Sequence, residues 1–121
     1  YVALIKIDRK IQFKSELTQA NWYDLNDVAT MNLAFDHAEI INKGMQHIRH
    51  NLDIEPYLLF ELLPRKFTIT QLQSLYDTVH QTRSDVRNFR KKVSQWPHVV
   101  ALDELEEGVA HRAARLYKYK K

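Results

Sequence analysis

One short stretch in the second half of the chain concentrates long hydrogen-bond donors on one helical face. Five of the ten residues in 83–92 are basic and one, Asp85, is acidic, which gives this stretch a net charge of +4. A helix over residues 85–95, at 3.6 residues per turn, has one apolar side made of Val86, Phe89, Val93 and Trp96. Its opposite side and edges carry donors, namely Arg87, Asn88, Lys91 and Gln95 in front, Ser84 just before the helix, and Arg90 and Lys92 on the two flanks.

These residue types match the chemistry of a DNA groove. Arginine donates paired hydrogen bonds to guanine, asparagine and glutamine do so to adenine, and lysine neutralises phosphate. The major groove admits one helix, so a helix that reads it needs an apolar back and a front of polar donors. An isolated basic helix is more often a solvated surface, but the neighbouring elements favour DNA binding.

Those neighbouring elements follow the order of a winged helix-turn-helix. Thr68 and Gln71 have the spacing of a capping box, which predicts the start of a helix whose apolar face includes Leu72 and Val79. Residues 80–84 form a polar turn before the basic helix. Residues 99–102 and 114–119 read as two strands of a hairpin, and Gly108 lies in the loop between them. The predicted fold class is α+β and mainly α, with the hairpin as a wing.

The first third of the chain has a different pattern. Residues 1–7 and 21–25 read as short strands, too few to bury a core by themselves. A helical pattern begins at Asp36, runs to about Asn51 and precedes a short helical stretch at 57–63. Residues 1–34 are therefore either the incomplete end of a larger domain or an arm packed on another part of the protein, and we assign residues 35–121 to the winged helix.

The predicted hairpin has an acidic loop beside basic residues. Residues 103–107 contain four acids, a charge of −4, which we expect to point away from DNA or to pair with Lys118 or Lys120. Arg112 and Arg115 are weaker candidates for contact with phosphate or the minor groove. The sequence supports equally well the alternative that they belong to a basic tail whose charge balances that of the acidic loop.

Composition excludes several kinds of site. The chain has no cysteine and two glycines, so it has no thiolate nucleophile, cysteine-based zinc site or glycine-rich phosphate loop. His47 and His50 have a metal-compatible spacing, but no carboxylate at the right offset completes a site. We predict no catalytic residue, metal or cofactor. No apolar run is long enough to span a membrane, and a cytoplasmic location fits.

Several motifs in order resemble Nudix-related transcriptional regulators, in which a Nudix domain precedes a C-terminal winged helix. The similarity lies in residues 33–37, 60–64, 67–76, 87–92 and 113–117, and residues 21–25 resemble the last strand of a Nudix domain.

The resemblance implies a regulator of genes for NAD, cofactor or sugar metabolism, bound to a double-stranded DNA operator. It also implies a homodimer formed through the Nudix domain and a small-molecule effector bound upstream of Tyr1. No Nudix box is present in this chain, so we predict that the chain is not an enzyme. Two alternatives stay open: a Nudix hydrolase whose winged helix serves packing or dimerisation, and a winged helix that binds an acidic protein.

Overall fold

In residues 1–6 and 21–121, which the computed structural model describes, five helices precede a β-hairpin. The elements are α1 (Leu25–Val28), α2 (His37–Ile54), α3 (Tyr57–Glu61), α4 (Ile69–His80), α5 (Val86–Val93), β1 (Val99–Leu105) and β2 (Arg115–Tyr119). The chain divides into two units, Tyr1–His47 and Ile48–Lys121, so that α2 begins in the first and ends in the second. No helix in the described ranges has the length and apolar character needed to cross a lipid bilayer.

The two strands predicted near the N-terminus are wrong wherever the structure can test them. Residues 1–6 have no regular secondary structure and are exposed, while residue 7 lies outside the described ranges. At the second site Asp24 caps α1, and its Oδ1 accepts a hydrogen bond from the Asn26 amide at 2.8 Å. β-Branched residues favour extended backbone, but a strand also needs a partner strand. Aspartate before a polar turn instead favours a helix cap.

Helix α2 confirms the predicted apolar periodicity, and it extends to Ile54, three residues beyond the predicted end. Ile48 and Leu52, in the second unit, are buried. Ile40 and Ile41, in the first unit, are 55% and 36% exposed. The apolar stripe is therefore covered only along its C-terminal part.

The core of the second unit is built around the start of α4. Phe67 and Leu72 are fully buried. Phe60 in α3 stacks on Tyr119 in β2, with 4.4 Å between the ring centroids, and lies 5.7 Å from the ring of Phe67. The other buried apolar side chains of this core are Ile48, Leu52, Leu59, Leu63, Ile69, Val79, Phe89 and Val93. The end of α2 from Ile48 onward, helices α3 to α5 and the hairpin thus share one apolar interior.

The predicted capping box at the start of α4 is confirmed. Thr68 Oγ1 accepts a hydrogen bond from the Gln71 amide at 3.1 Å, and Gln71 Oε1 accepts one from the Thr68 amide at 2.9 Å. These bonds satisfy two amides that a helix start leaves unpaired. The cap therefore fixes where α4 begins.

Strands β1 and β2 form the predicted antiparallel hairpin, with Val99 opposite Tyr119 and Ala101 opposite Tyr117. Its register is irregular between Ala101 and Leu105. Phe67 adds a bridge to the edge of β2, because its amide donates to Tyr117 O at 2.9 Å and its carbonyl accepts from the Tyr117 amide at 2.8 Å. The segment before α4 is therefore bonded directly to the hairpin.

Candidate nucleic-acid interface

Helix α5 begins where the sequence predicts and ends earlier. Asp85 is the N-cap, and its Oδ1 accepts a hydrogen bond from the Asn88 amide at 2.9 Å. The helix ends at Val93 instead of Gln95, because the amides of Gln95 and Trp96 bond three residues back, to Lys92 O at 3.1 Å and Val93 O at 2.9 Å. Such bonds tighten the last turn. Gln95 therefore lies two residues after the helix and not within it, where the sequence predicted it.

The apolar back of α5 is largely as predicted. Phe89 and Val93 are each 2% exposed. Trp96 is half-buried just after the helix, with its ring centroid 6.3 Å from that of Phe89. Val86 is 55% exposed, so its assignment to the buried face is wrong. Side chains lean toward the N-terminus of their helix, and that of the first residue lies over the preceding polar turn.

Arg87, Asn88 and Lys91 occupy the exposed side of α5, opposite Phe89 and Val93. Within the described part of the chain, none of these three side chains has a hydrogen bond or ion pair to the protein itself. Their donors are therefore available to an external partner. The buried back holds the helix so that these donors face solvent.

Arg90 and Lys92 lie on opposite flanks of α5, as predicted, and in different surroundings. Arg90 lines an open groove that also includes Thr70 at the start of α4 and Arg115 in β2. The Lys92 ammonium contacts the Tyr76 hydroxyl and lies 4.3 Å from the centre of the Tyr76 ring. Arg90 thus shares a groove with a second arginine, whereas Lys92 is already bound to α4.

Ser84 is half-buried, and its polar groups are bonded within the protein. Its hydroxyl donates to Asp77 Oδ1 at 2.6 Å and its amide donates to Asp77 Oδ2 at 3.0 Å. Sequence reasoning missed Asp77, because the six residues that separate it from Ser84 span a helix end and a turn. The one available signal was an acid in the last turn of α4, where a helix dipole disfavours negative charge.

The hairpin arginines have a different setting from those of α5. Arg112 is exposed in the loop, and Arg115 is exposed with its Nη2 3.4 Å from Asp103 Oδ1. Glu104 pairs with Lys66 in the segment before α4. The expected pairing of the acidic segment with Lys118 or Lys120 is therefore wrong for the described residues, and the alternative expectation, that the segment points away from DNA, stays a prediction. The strand β1 continues to Leu105, which places these two carboxylates on the hairpin itself and beside other cations.

The histidines form no metal site in the part of the chain that the structure describes. No group of three or more His, Cys, Asp or Glu side chains in residues 1–6 and 21–121 is arranged to hold a metal ion. His80 Nε2 lies 4.0 Å from Asp53 Oδ1, and His98 Nδ1 lies 3.1 Å from the Lys120 carbonyl. Each of these two histidines therefore lies beside a polar group of another segment of the chain.

Comparison with known proteins decides the family. Residues 59–119, half of the chain, match the family described as the NrtR DNA-binding winged helix domain. The chain belongs to this family. The matched segment contains α4, α5 and the hairpin, so every predicted contact residue lies inside the NrtR winged helix.

A curated relative and two solved structures extend the comparison. The chain is 25% identical over 119 residues to the ADPR responsive transcriptional repressor NtrR of Acinetobacter baylyi, covering 98% of this chain and 47% of the relative. The chain therefore spans about half the length of that protein.

The crystal structure of Shewanella oneidensis NrtR complexed with a 27mer DNA is 23% identical, with a TM-score of 0.57 over 86% of this chain and 47% of that one. A second crystal structure of Shewanella oneidensis NrtR is 24% identical, with a TM-score of 0.56 over 87% of this chain and 47% of that one. This likeness establishes the winged-helix fold.

Proposed function

We propose that this chain is the DNA-binding part of a Nudix-related transcriptional regulator of metabolic genes, and that α5 enters the major groove of an operator. One observation carries the proposal: the exposed side of α5 presents Arg87, Asn88 and Lys91, which have no hydrogen-bond or ion-pair partner among residues 1–6 and 21–121, directly opposite a buried apolar back. A helix with these two faces can enter a groove without losing its packing. Membership of the NrtR winged-helix family supports the same role.

The contacts are assigned from the surroundings of each side chain. Arg87, Asn88 and Lys91 are proposed for base edges or phosphate, since their donors have no partner in the part of the chain that the structure describes. Arg90, at the edge of its groove, is proposed for backbone phosphate, and Lys92 for the same role after it leaves Tyr76. Weaker candidates are Arg112 and Arg115, and Ser84, whose hydroxyl is bonded to Asp77.

The remaining parts of the proposal concern the whole protein. The chain covers 47% of a curated repressor described as ADPR responsive. This coverage supports a longer protein in which residues 1–34 are the end of a Nudix-like domain that pairs two subunits and binds a small-molecule effector. We place this regulator in the cytoplasm and assign this chain no catalytic role.

The test is a double substitution on the front of α5. Arg87→Ala with Lys91→Ala should weaken binding to the best duplex selected by the wild-type chain from a randomised pool by at least about tenfold, because both a base contact and phosphate contacts are lost. The slope of log affinity against log salt should fall by up to about 2, since each neutralised phosphate contributes about 0.9. Fluorescence anisotropy over a salt series measures both quantities.

Lys120→Ala with Lys121→Ala is the matched control. It removes the same charge at the end of the hairpin, where Lys121 Nζ lies 4.0 Å from Glu61 Oε1. We expect a smaller loss that is equal on selected and shuffled duplexes. Unchanged binding by the α5 variant would contradict the proposal. Displacement of the chain from DNA by a short acidic peptide, with no preference among duplexes, would instead favour an acidic protein partner.

A further inference from the structure

The turn between α4 and α5 is held by side chains of α4. Three hydrogen bonds converge on Ser84: its hydroxyl donates to Asp77 Oδ1 at 2.6 Å, its amide donates to Asp77 Oδ2 at 3.0 Å, and its carbonyl accepts from Gln73 Nε2 at 2.8 Å. The Asp77 carbonyl also accepts a hydrogen bond from the Thr82 amide at 3.0 Å. We call the Asp77, Gln73 and Ser84 side chains with these bonds the elbow network.

The elbow network lies immediately before α5 begins. Ser84 precedes Asp85, the N-cap of α5, so fixing both the amide and the carbonyl of Ser84 fixes the backbone that leads into the cap. Hydrogen bonds to a carboxylate are stronger than neutral ones, and partial burial strengthens them further. Asp77, Gln73 and Ser84 are all half-buried.

Helix α5 needs such a support because its own packing is limited. It has eight residues, of which Phe89 and Val93 are buried. Successive residues of an α-helix are about 100° apart around its axis. A rotation of α5 by that angle would therefore put a different side chain at the centre of its exposed side. Two buried side chains on one stripe resist that rotation, and the elbow network fixes the angle and height at which the helix starts.

We propose that Asp77 is a positioning residue that determines how well the chain discriminates between DNA sequences. The inference rests on the proposed function, in which α5 reads the major groove. Asp77 itself lies on α4 with both carboxylate oxygens occupied by Ser84, so it acts through Ser84 and does not touch DNA. Base contacts need placement within a fraction of an ångström, whereas phosphate contacts tolerate small shifts and carry no sequence information.

Electrostatics alone makes the opposite prediction for this residue. A carboxylate near DNA repels phosphate, so removing its charge should tighten binding to every duplex. Removing a positioning residue should weaken binding to the preferred duplex only. The sign of the effect therefore separates the two roles.

The experiment compares two duplexes of equal length and base composition. One is the best duplex selected by the wild-type chain from a randomised pool, and the other is its shuffled form. For Asp77→Asn, whose amide nitrogen cannot accept a hydrogen bond from Ser84, we expect about a tenfold loss on the selected duplex, the size of losing one base-pair contact. On the shuffled duplex we expect unchanged or slightly tighter binding, and the slope against salt should not fall.

Two further variants control the charge and the geometry. Glu107→Gln makes the same change of charge at an exposed loop residue and should leave the ratio of selected to shuffled affinity unchanged. Ser84→Ala loses the hydroxyl bond but keeps the amide bond, so it should lower that ratio by less than Asp77→Asn does. In the double variant, the ratio should fall by less than the sum of the two single effects, because both substitutions act on one network.

The outcomes separate this inference from the proposed function. A wild-type chain that does not distinguish the two duplexes would overturn both. A selective wild type whose ratio is unchanged in Asp77→Asn, or which binds both duplexes more tightly after that change, would overturn the positioning role alone. If Asp77→Asn loses helical circular dichroism, the test uses Ser84→Ala and Gln73→Ala, which keep the carboxylate. The ratio of selected to shuffled affinity is then measured for these two variants and should fall in both.

Discussion

Helix α5 and the hairpin both present arginines to solvent, and the surroundings of those arginines differ. On α5, Arg87 has no protein partner among the described residues and lies opposite a buried back. On the hairpin, Arg115 lies 3.4 Å from Asp103, and the neighbouring Glu104 pairs with Lys66. The two regions have basic residues in similar numbers, but among the described residues Arg115 already has a carboxylate partner, whereas Arg87 has none.

The difference indicates that the net charge of a segment does not by itself determine how much it contributes to DNA affinity. A cation that already has a carboxylate must exchange that partner for a phosphate, and the gain is small when both partners are solvated. A free cation on an anchored helix releases counterions without that exchange. We therefore assign most of the binding to α5 and little to the hairpin.

The largest expected effect tests whether α5 is anchored and the hairpin tip is not. Phe89→Ala should lower the free energy of unfolding by about 3–5 kcal/mol, because it opens a cavity behind the helix. Leu105→Ala, at a residue 58% exposed in β1, should change it by less than about 0.5 kcal/mol. Urea denaturation followed by circular dichroism measures both. Similar losses for the two variants would remove the structural basis of the comparison.

A smaller effect tests whether Asp103 restrains Arg115. Asp103→Asn should tighten DNA binding by about twofold to fivefold at low salt, because it frees Arg115 and removes one repulsive charge. The same change in an Arg115→Ala background separates these two causes. If the gain persists there in full, the Asp103 carboxylate acts through general repulsion and the pairing with Arg115 is irrelevant to binding.

The smallest effect concerns two adjacent lysines of α5. Lys91→Ala should reduce the slope of log affinity against log salt by about 0.9, the contribution of one phosphate contact. Lys92→Ala should reduce that slope by a similar amount, because the proposed phosphate contact requires the Lys92 ammonium to leave Tyr76. A slope that is nearly unchanged in Lys92→Ala would show that its ammonium stays on Tyr76 in the complex.

The parts of the fold that sequence predicted are those with a local signature. The capping box of Thr68 and Gln71 is contained in four residues, and the apolar stripe through Phe89 and Val93 repeats within one helix. Both are readable because the partners are three or four residues apart. The order of helices and hairpin then followed from them.

The parts that sequence missed depend on partners far along the chain. Glu104 pairs with Lys66, 38 residues away, and the periodicity of neither segment contains that contact. The strands expected near the N-terminus failed for a related reason, since composition favours an extended backbone without supplying a partner strand. For the candidate interface, sequence identified the free donors Arg87, Asn88 and Lys91, while the occupied states of Ser84 and Lys92 needed coordinates.

The paired hydrogen bonds between Phe67 and Tyr117 have a consequence for folding cooperativity. They join Phe67, the residue just before the α4 cap, to β2, which also pairs with β1. The chain between Phe67 and Tyr117 contains α4 and α5. Closing so long a loop costs entropy that only the assembled core offsets. We therefore expect the hairpin amides to exchange with solvent together with those of α4 and α5, because detaching the hairpin breaks both Phe67–Tyr117 hydrogen bonds.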